Sequence, residues 1–437
     1  MIRNTMKTIE YSAVAVLSFL CLTTESAWSQ QITAIQGGTV LTMAGETLER
    51  ATVLVRDGKI AEVGANVRVP GNATIVDATG KYVMPGIIDA MTYYGIRPFE
   101  LNDPSSPATP QNRAIQAYYP YGDFMRGTTG ISVDKNLISG GVTTVYIAPG
   151  DRQVIGGQGA VVKTWGPDFN SMIVREPAAI DMTIGETAKR EDQNPTTRMG
   201  IAALLRRTLL EAQEFSGKME EYETKQAEGD PEATPPGRDL GKEALRRLLS
   251  HEIPARIEVD YLDDIRTAIR IAEEFGFDLI LDSGLGAYKI KDVLAENGIP
   301  VVLGPPTHPF IIGGEVSMNA DLYNLMNEYN AAELSDAGVK VAIGSFGFGF
   351  GSFGGATQGR WLLIEAAYAT GYGLSDEDAL RAVTINAAEI LGVDDRIGSL
   401  EPGKDADVIV LDGYPLNIKT WVDLVMIDGE LVHERGN

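Results

Sequence analysis

The chain has 437 residues, with 37 Lys plus Arg against 60 Asp plus Glu for a net charge of -23, and is 44% hydrophobic and 22% charged. These values describe a globular protein of two or three domains, or one large barrel with an accessory domain, and so acidic a surface argues against nucleic acid or an anionic membrane face as partner. With one Cys and three His, an intrachain disulfide, a cysteine-rich zinc site and an iron–sulfur cluster are excluded, and little imidazole is left for any metal centre.

Arg3 and Lys7 precede the apolar run 13–22, and the small-residue site Ala27-Trp28-Ser29 follows. The pattern predicts a secretory leader over residues 1–29, cleaved after Ser29, and a periplasmic or secreted mature protein. The run is shorter than the ~20 residues a membrane span needs, so no membrane contact is expected after cleavage. Cleavage also removes Cys21, which suits an oxidising compartment.

Residues 30–80 contain the short β-type runs 38–42, 51–55 and 59–63, with Asp57-Gly58 as a hairpin signal between the last two. Residues 398–437 repeat that style in 406–411 and 424–432. The two ends are expected to pair into one small β-sandwich domain. Between them, over residues 81–397, apolar runs at 142–147, 255–259, 278–281, 300–303 and 339–343 alternate with helical patterns such as 263–274. This predicts the α/β class and a (β/α)8 TIM-like barrel whose working face lies at the C-terminal strand ends. The charged stretch 213–249, broken by Gly and Pro at 228–237, reads as a solvated helical excursion.

Tyr82-Val83-Met84-Pro85-Gly86-Ile87-Ile88-Asp89-Ala90 resembles the entry into the first barrel strand of the amidohydrolase superfamily. Ser139-Gly140-Gly141-Val142-Thr143-Thr144-Val145 is similar to the second strand. Ile155-Gly156-Gly157-Gln158-Gly159-Ala160-Val161-Val162-Lys163 resembles a stretch of the imidazolonepropionase-like branch, and residues 385–392 and 397–408 resemble the closing signature. The resemblance implies hydrolysis of amide or cyclic-amide carbon–nitrogen bonds by a metal-bound hydroxide. It also implies metals held by His-x-His on strand one, a lysine on strand four, histidines on strands five and six and an aspartate on strand eight. At those positions this sequence carries Met91 and Tyr93, Asp181, Glu258, Ser283 and Phe346. None is an imidazole, and the pattern is that of a degenerate metal site.

Carboxylates are plentiful nearby. Glu258 and Asp260 are two apart and share a strand face, as do Asp89, Met91 and Tyr93. Inward-pointing faces would gather Asp89, Asp181, Glu258, Asp260 and Asp282 in one pocket. Three arrangements stay open: carboxyls sharing protons and bonded to Tyr93 and Tyr94 without metal, a hard cation (Mn, Ca or Mg) caged by Glu258, Asp260 and Asp282, or ion pairs with Arg256 or Lys289 facing the helices. Of the histidines, His251 sits at a helix end, His433 in the terminal β segment, and His308 alone follows a barrel strand and is a pocket candidate. The Gly- and Phe-rich run 344–355 is expected at the barrel mouth, as packing or as a ligand lid. Lys163 is either a cavity lysine or a surface or salt-bridged one. The sequence therefore predicts a weakly or non-catalytic amidohydrolase-like protein without a cofactor. It would bind a small amide or peptide-like ligand, or serve as a subunit beside an active amidohydrolase paralogue. The alternative is an active carbon–nitrogen hydrolase using a carboxylate-rich metal site.

Overall fold

The computed structural model describes residues 31–96, 100–118, 137–189, 194–304, 327–346 and 359–436. The expected leader with Cys21, the candidate His308 and residues 347–355 of the Gly- and Phe-rich run lie outside them.

Both chain ends build one sheet. From the first end come β1 (Ile32–Val40), β2 (Leu48–Arg56), β3 (Lys59–Gly64), β4 (Thr74–Asp77) and β5 (Tyr82–Pro85). The second supplies β14 (Val408–Leu411), β15 (Val422–Ile427) and β16 (Glu430–Glu434). The path runs β16-β15-β14-β5-β1-β2-β3, with β4 on β1. Asp57-Gly58 turns β2 into β3 at φ 51° and 79°, and Asp428-Gly429 turns β15 into β16 at φ 50° and 78°. Positive φ at both central residues lets a two-residue hairpin follow the strand twist. Val83 of β5 pairs with Val40 on one side and Val410 on the other, so this short strand stitches the two chain ends together. Alternate residues of these strands, among them Ile35, Val53, Val55, Val408 and Val410, form their own buried core.

The barrel strands are β6 (Ile87–Thr92), β7 (Val142–Ile147), β8 (Ile155–Lys163), β9 (Ile173–Thr183), β10 (Ala255–Val259), β11 (Leu279–Ser283), β12 (Val301–Leu303) and β13 (Val341–Ile343). They bond in that order. The ring draws together where β13 meets β6: a Cβ on Gly344 would stand 2.8 Å from the Met91 nitrogen, and the Phe346 amide donates to the Met91 carbonyl at 2.9 Å. Neighbouring strands are parallel except around β8, which runs antiparallel to both β7 and β9. Ile155 thus lies beside Met182 at the mouth, and Lys163 beside Thr144 at the bottom.

The reversal decides between the two roles open to Lys163. Its Nζ, fully buried, lies 2.9 Å from Asp405, 3.0 Å from Asp407 and 2.5 Å from Asp428, all in the terminal segment. It is an anchor between barrel and sheet domain. Burial works against the ammonium charge, yet Asp407, Asp428 and Asp405 hold its pKa above the usual lysine range. Burial likewise opposes ionisation of Asp405, but Lys163, Lys59 and Arg396 keep that carboxyl down at about 2.

Helix Leu262–Phe275 stops at Gly276, whose φ of 70° closes it with a left-handed cap. The excursion forms two helices, Arg198–Ala227 on a Thr197 cap and Leu240–Leu249 on an Asp239 cap. Only the stretch up to Phe215 of the longer helix buries a stripe, Ile201, Leu205, Leu209, Ala212 and Phe215, and its later turns face water. Among the described residues no helix is long and apolar enough to cross a membrane.

Candidate functional site in the barrel lumen

Two contacts cross the lumen. The Tyr93 hydroxyl, just beyond β6, donates to Glu258 Oε2 of β10 at 3.0 Å. These strands are separated in the ring by β7, β8 and β9, so the bond spans the interior. Burial, then Glu258, pushes the Tyr93 phenol up. Burial, then Asp151 and Asp260, pushes the Glu258 carboxyl well above its ordinary range.

The second crossing lies deeper. Arg256 of β10 is fully buried and grips Asp282 of β11 with two bonds, Nε to Oδ2 at 2.9 Å and Nη2 to Oδ1 at 2.6 Å. Its guanidinium lies 3.9 Å from the ring centre of Tyr146 on β7. The Tyr146 hydroxyl in turn donates to Asp181 Oδ2 of β9 at 2.8 Å. Arg256 Nη1 is buried without an acceptor among the described residues. Burial raises Asp181 well above the carboxylate range against the pull of Arg256. Gly159 of β8 makes the room: a Cβ there would collide with Tyr146 Oη and come within 2.7 Å of Asp181 Oδ2.

Asp89 forms a separate knot. It accepts from the Ser345 amide at 2.8 Å, the Ser345 hydroxyl at 2.6 Å and the Met91 amide at 3.4 Å. A register irregularity in β6 between Asp89 and Thr92 also brings Thr92 Oγ1 within 3.0 Å of Ser345 Oγ. Burial lifts Asp89 to about 6, with the Ser345 bonds holding it from going higher. Tyr94 is buried beside this knot, its hydroxyl without a partner among the described residues, and burial followed by Asp89 raises its pKa.

At the mouth the Ser283 hydroxyl donates to Asp260 Oδ1 at 2.5 Å. Glu258 and Asp260 line a cleft there with Glu186, Thr187 and Tyr261. Ser283 and Phe346 hold φ of 68° and 47°, the left-handed region that side chains other than glycine enter at a cost of order 1–3 kcal/mol.

The five carboxylates therefore share the barrel but have different donors: Ser345 for Asp89, Tyr146 for Asp181, Tyr93 for Glu258, Ser283 for Asp260 and Arg256 for Asp282. Of the two cations weighed from sequence, Arg256 pairs inside the lumen, while Lys289 lies 5.5 Å from the Tyr288 ring. Met91 and Phe346 are buried at the β6–β13 seam. His251 stands 3.1 Å from Asp278 beyond helix Leu240–Leu249, and His433 lies in β16. Sequence reasoning did not single out Tyr146, Thr92, Ser345 or Gly159. Arg256, expected as a pair partner facing the helices, instead shares the inward face of Glu258, two residues on. Among the described residues no three His, Cys, Asp or Glu are grouped to hold a metal ion.

A strand barrel with an accessory sheet from both chain ends and a polar lumen is the amidohydrolase architecture. Its family signature matches residues 319–432. The crystal structure of an amidohydrolase from Thermotoga maritima MSB8 is 35% identical, with a TM-score of 0.81 over 92% of this chain and 100% of that one. The chain belongs to the amidohydrolase family. Amidohydrolase tasK of Hapsidospora irregularis is 27% identical over 408 residues, 86% of this chain and 39% of its own length. The imidazolonepropionase of Porphyromonas gingivalis is 38% identical over 94 residues, 21% of each chain. These alignments thus cover less than half the length of either curated relative.

Proposed function

We propose that this protein is a secreted or periplasmic member of the superfamily whose metal-gripping positions have been refilled by an internal hydrogen-bond network. It binds a small amide or peptide-like ligand, with little or no hydrolysis, and serves as a subunit beside an active paralogue. The observation that carries the reading is the Tyr93–Glu258 bond, in which the side chains at two positions that the resemblance assigns to histidine ligands bond to each other. The remaining positions agree. Ser283 donates to Asp260, Asp181 accepts from Tyr146, Met91 offers only a soft thioether and Phe346 nothing. These donors do not fit a transition-metal pair. Zinc would lower the pKa of a bound water from 15.7 to about 7, on the order of 12 kcal/mol of nucleophile activation, and nothing in this set replaces it. A hard-cation cage of Glu258, Asp260 and Asp282 would set a second cation beside the Arg256 guanidinium, which already engages both Asp282 oxygens.

In the cleft, burial and the neighbouring Asp151 and Asp260 favour the protonated form of Glu258, which offers a donor to an amide carbonyl, and Asp260 offers an acceptor to an amide N–H. The test is metal analysis of the purified protein together with amide turnover and thermal shift against dipeptides and hydantoin-like amides. The expected result is sub-stoichiometric metal, no turnover gained on adding Mn²⁺, Zn²⁺ or Ca²⁺, and stabilisation of about 2.7 kcal/mol at a hundredfold excess of ligand over Kd. Stoichiometric metal, or amide turnover at ordinary enzyme rates, overturns the reading.

A further inference from the structure

We propose that Arg256 is a tethered cation that does in this barrel the charge-neutralising work a bound metal does in a metal-dependent one, so that removing it creates a divalent-cation site. The proposal rests on the degenerate-site reading and names what took the metal's place. The guanidinium sits fully buried inside the ring. It engages Asp282 on the adjacent strand through two nitrogens and covers the ring of Tyr146 from across the lumen. Through the Tyr146 hydroxyl its network reaches Asp181 on the other flanking strand, whose backbone is in register with Arg256 itself. One planar cation therefore joins β7, β9, β10 and β11, as a metal ion joins ligands from several strands, but with bonds of fixed geometry.

Neither partner is tolerable alone. An ion taken into a protein interior without its counter-charge carries a penalty of several kcal/mol, so Arg256 and the carboxylates require each other. Their mutual dependence leads to a specific expectation. With Arg256 present, an added cation meets like charge and gains nothing. With Arg256 replaced by a neutral side chain, Asp282 loses its compensation beside the oxygens of Asp181 and Tyr146, and a hard divalent ion is the natural substitute.

The experiment uses the mature protein and reads melting temperature in chelator and in excess Mn²⁺, Ca²⁺ or Zn²⁺, with metal content measured after desalting. The wild type is expected to melt at one temperature under all conditions. Arg256→Met should melt lower in chelator, recover by several degrees with a divalent cation, and bind that cation at least tenfold more tightly than wild type. Arg256→Met combined with Asp282→Asn should recover without cation and lose the cation response, and Arg256→Lys should stay unresponsive. A wild type that retains a stoichiometric cation overturns the proposal, as does an Arg256→Met protein that folds but ignores all three ions. Should Arg256→Met not fold in chelator, refolding with a divalent cation supports the proposal, and failure to refold with any of the three ions overturns it. Amide turnover by metal-free protein would end the non-catalytic reading and leave this inference standing. An unresponsive Arg256→Met protein would end this inference alone.

Discussion

Lys163→Met preserves the volume of a buried stem and removes its charge. Asp405 keeps Lys59 at 2.5 Å and Arg396 at 2.8 Å. Asp407 is worse placed: it is 5% exposed, and among the described residues its Oδ2 already lacks a partner and its side chain retains only the Asp428 amide at 2.9 Å. Breaking a buried pair by deleting one partner costs about 3–5 kcal/mol. For a chain of this length the unfolding entropy is on the order of 0.9 kcal/mol/K, so the melting temperature should fall by about 3–6 °C. Calorimetry at neutral pH reads the shift, and adding Asp407→Asn should return most of it. The acid limb gives a second reading. Because the folded pKa of Asp405 is depressed to about 2, its contribution is present above the ordinary value near 3.8 and is lost as pH falls through 2. Lys163→Met should therefore begin acid unfolding closer to pH 4. A melting shift below about 1 °C, or a double variant no better than the single one, refutes the anchor role.

Gly159→Ala places a methyl group against Tyr146 Oη and Asp181, and should lower stability by about 1–3 kcal/mol while changing the near-UV signal of the buried tyrosine; an unaltered spectrum counts against a lumen network there. Asp89 binds its proton more tightly folded than unfolded, with a pKa near 6, so its stabilising contribution is complete below the ordinary value of 3.8 and is lost as pH rises through 6. Asp89→Asn should accordingly gain stability relative to wild type at pH 8 and not at pH 3, and equal effects at both would contradict burial as the cause. Tyr93→Phe removes the donor to Glu258, costing about 1 kcal/mol and most of the ligand-induced thermal shift; full retention of that shift would place the ligand elsewhere.

Much of the architecture was readable from local pattern. The runs at 142–147 and 255–259 became strands with those bounds, and the helix expected at 263–274 extends by one residue at each end to Leu262–Phe275. Asp57-Gly58 formed its hairpin because only a pair tolerating positive φ fits there. The direction of β8 was not readable, because a buried apolar strand has the same side-chain alternation read either way. Nor was the fate of Lys163, whose partners lie more than 200 residues along the chain. In the lumen, sequence grouped the acidic residues by face but had no means to assign each its donor. That depends on which strands oppose each other across the ring, as with Tyr93 and Glu258 or Arg256 and Tyr146.

The antiparallel β8 links two remote places. Its first residues hold the segment 109–112: the Thr109 amide donates to the Ile155 carbonyl at 2.8 Å, Gln158 Nε2 donates to the Pro110 carbonyl at 2.9 Å, and Gly157, at φ 138°, lets the Asn112 carbonyl press close. Its last residue is clasped by three aspartates of the opposite domain. Rim and accessory sheet are therefore inherited as a unit. A chimaera that borrows this entrance for another barrel must import Asp405, Asp407 and Asp428 with it, or strand a bare ammonium at the domain seam.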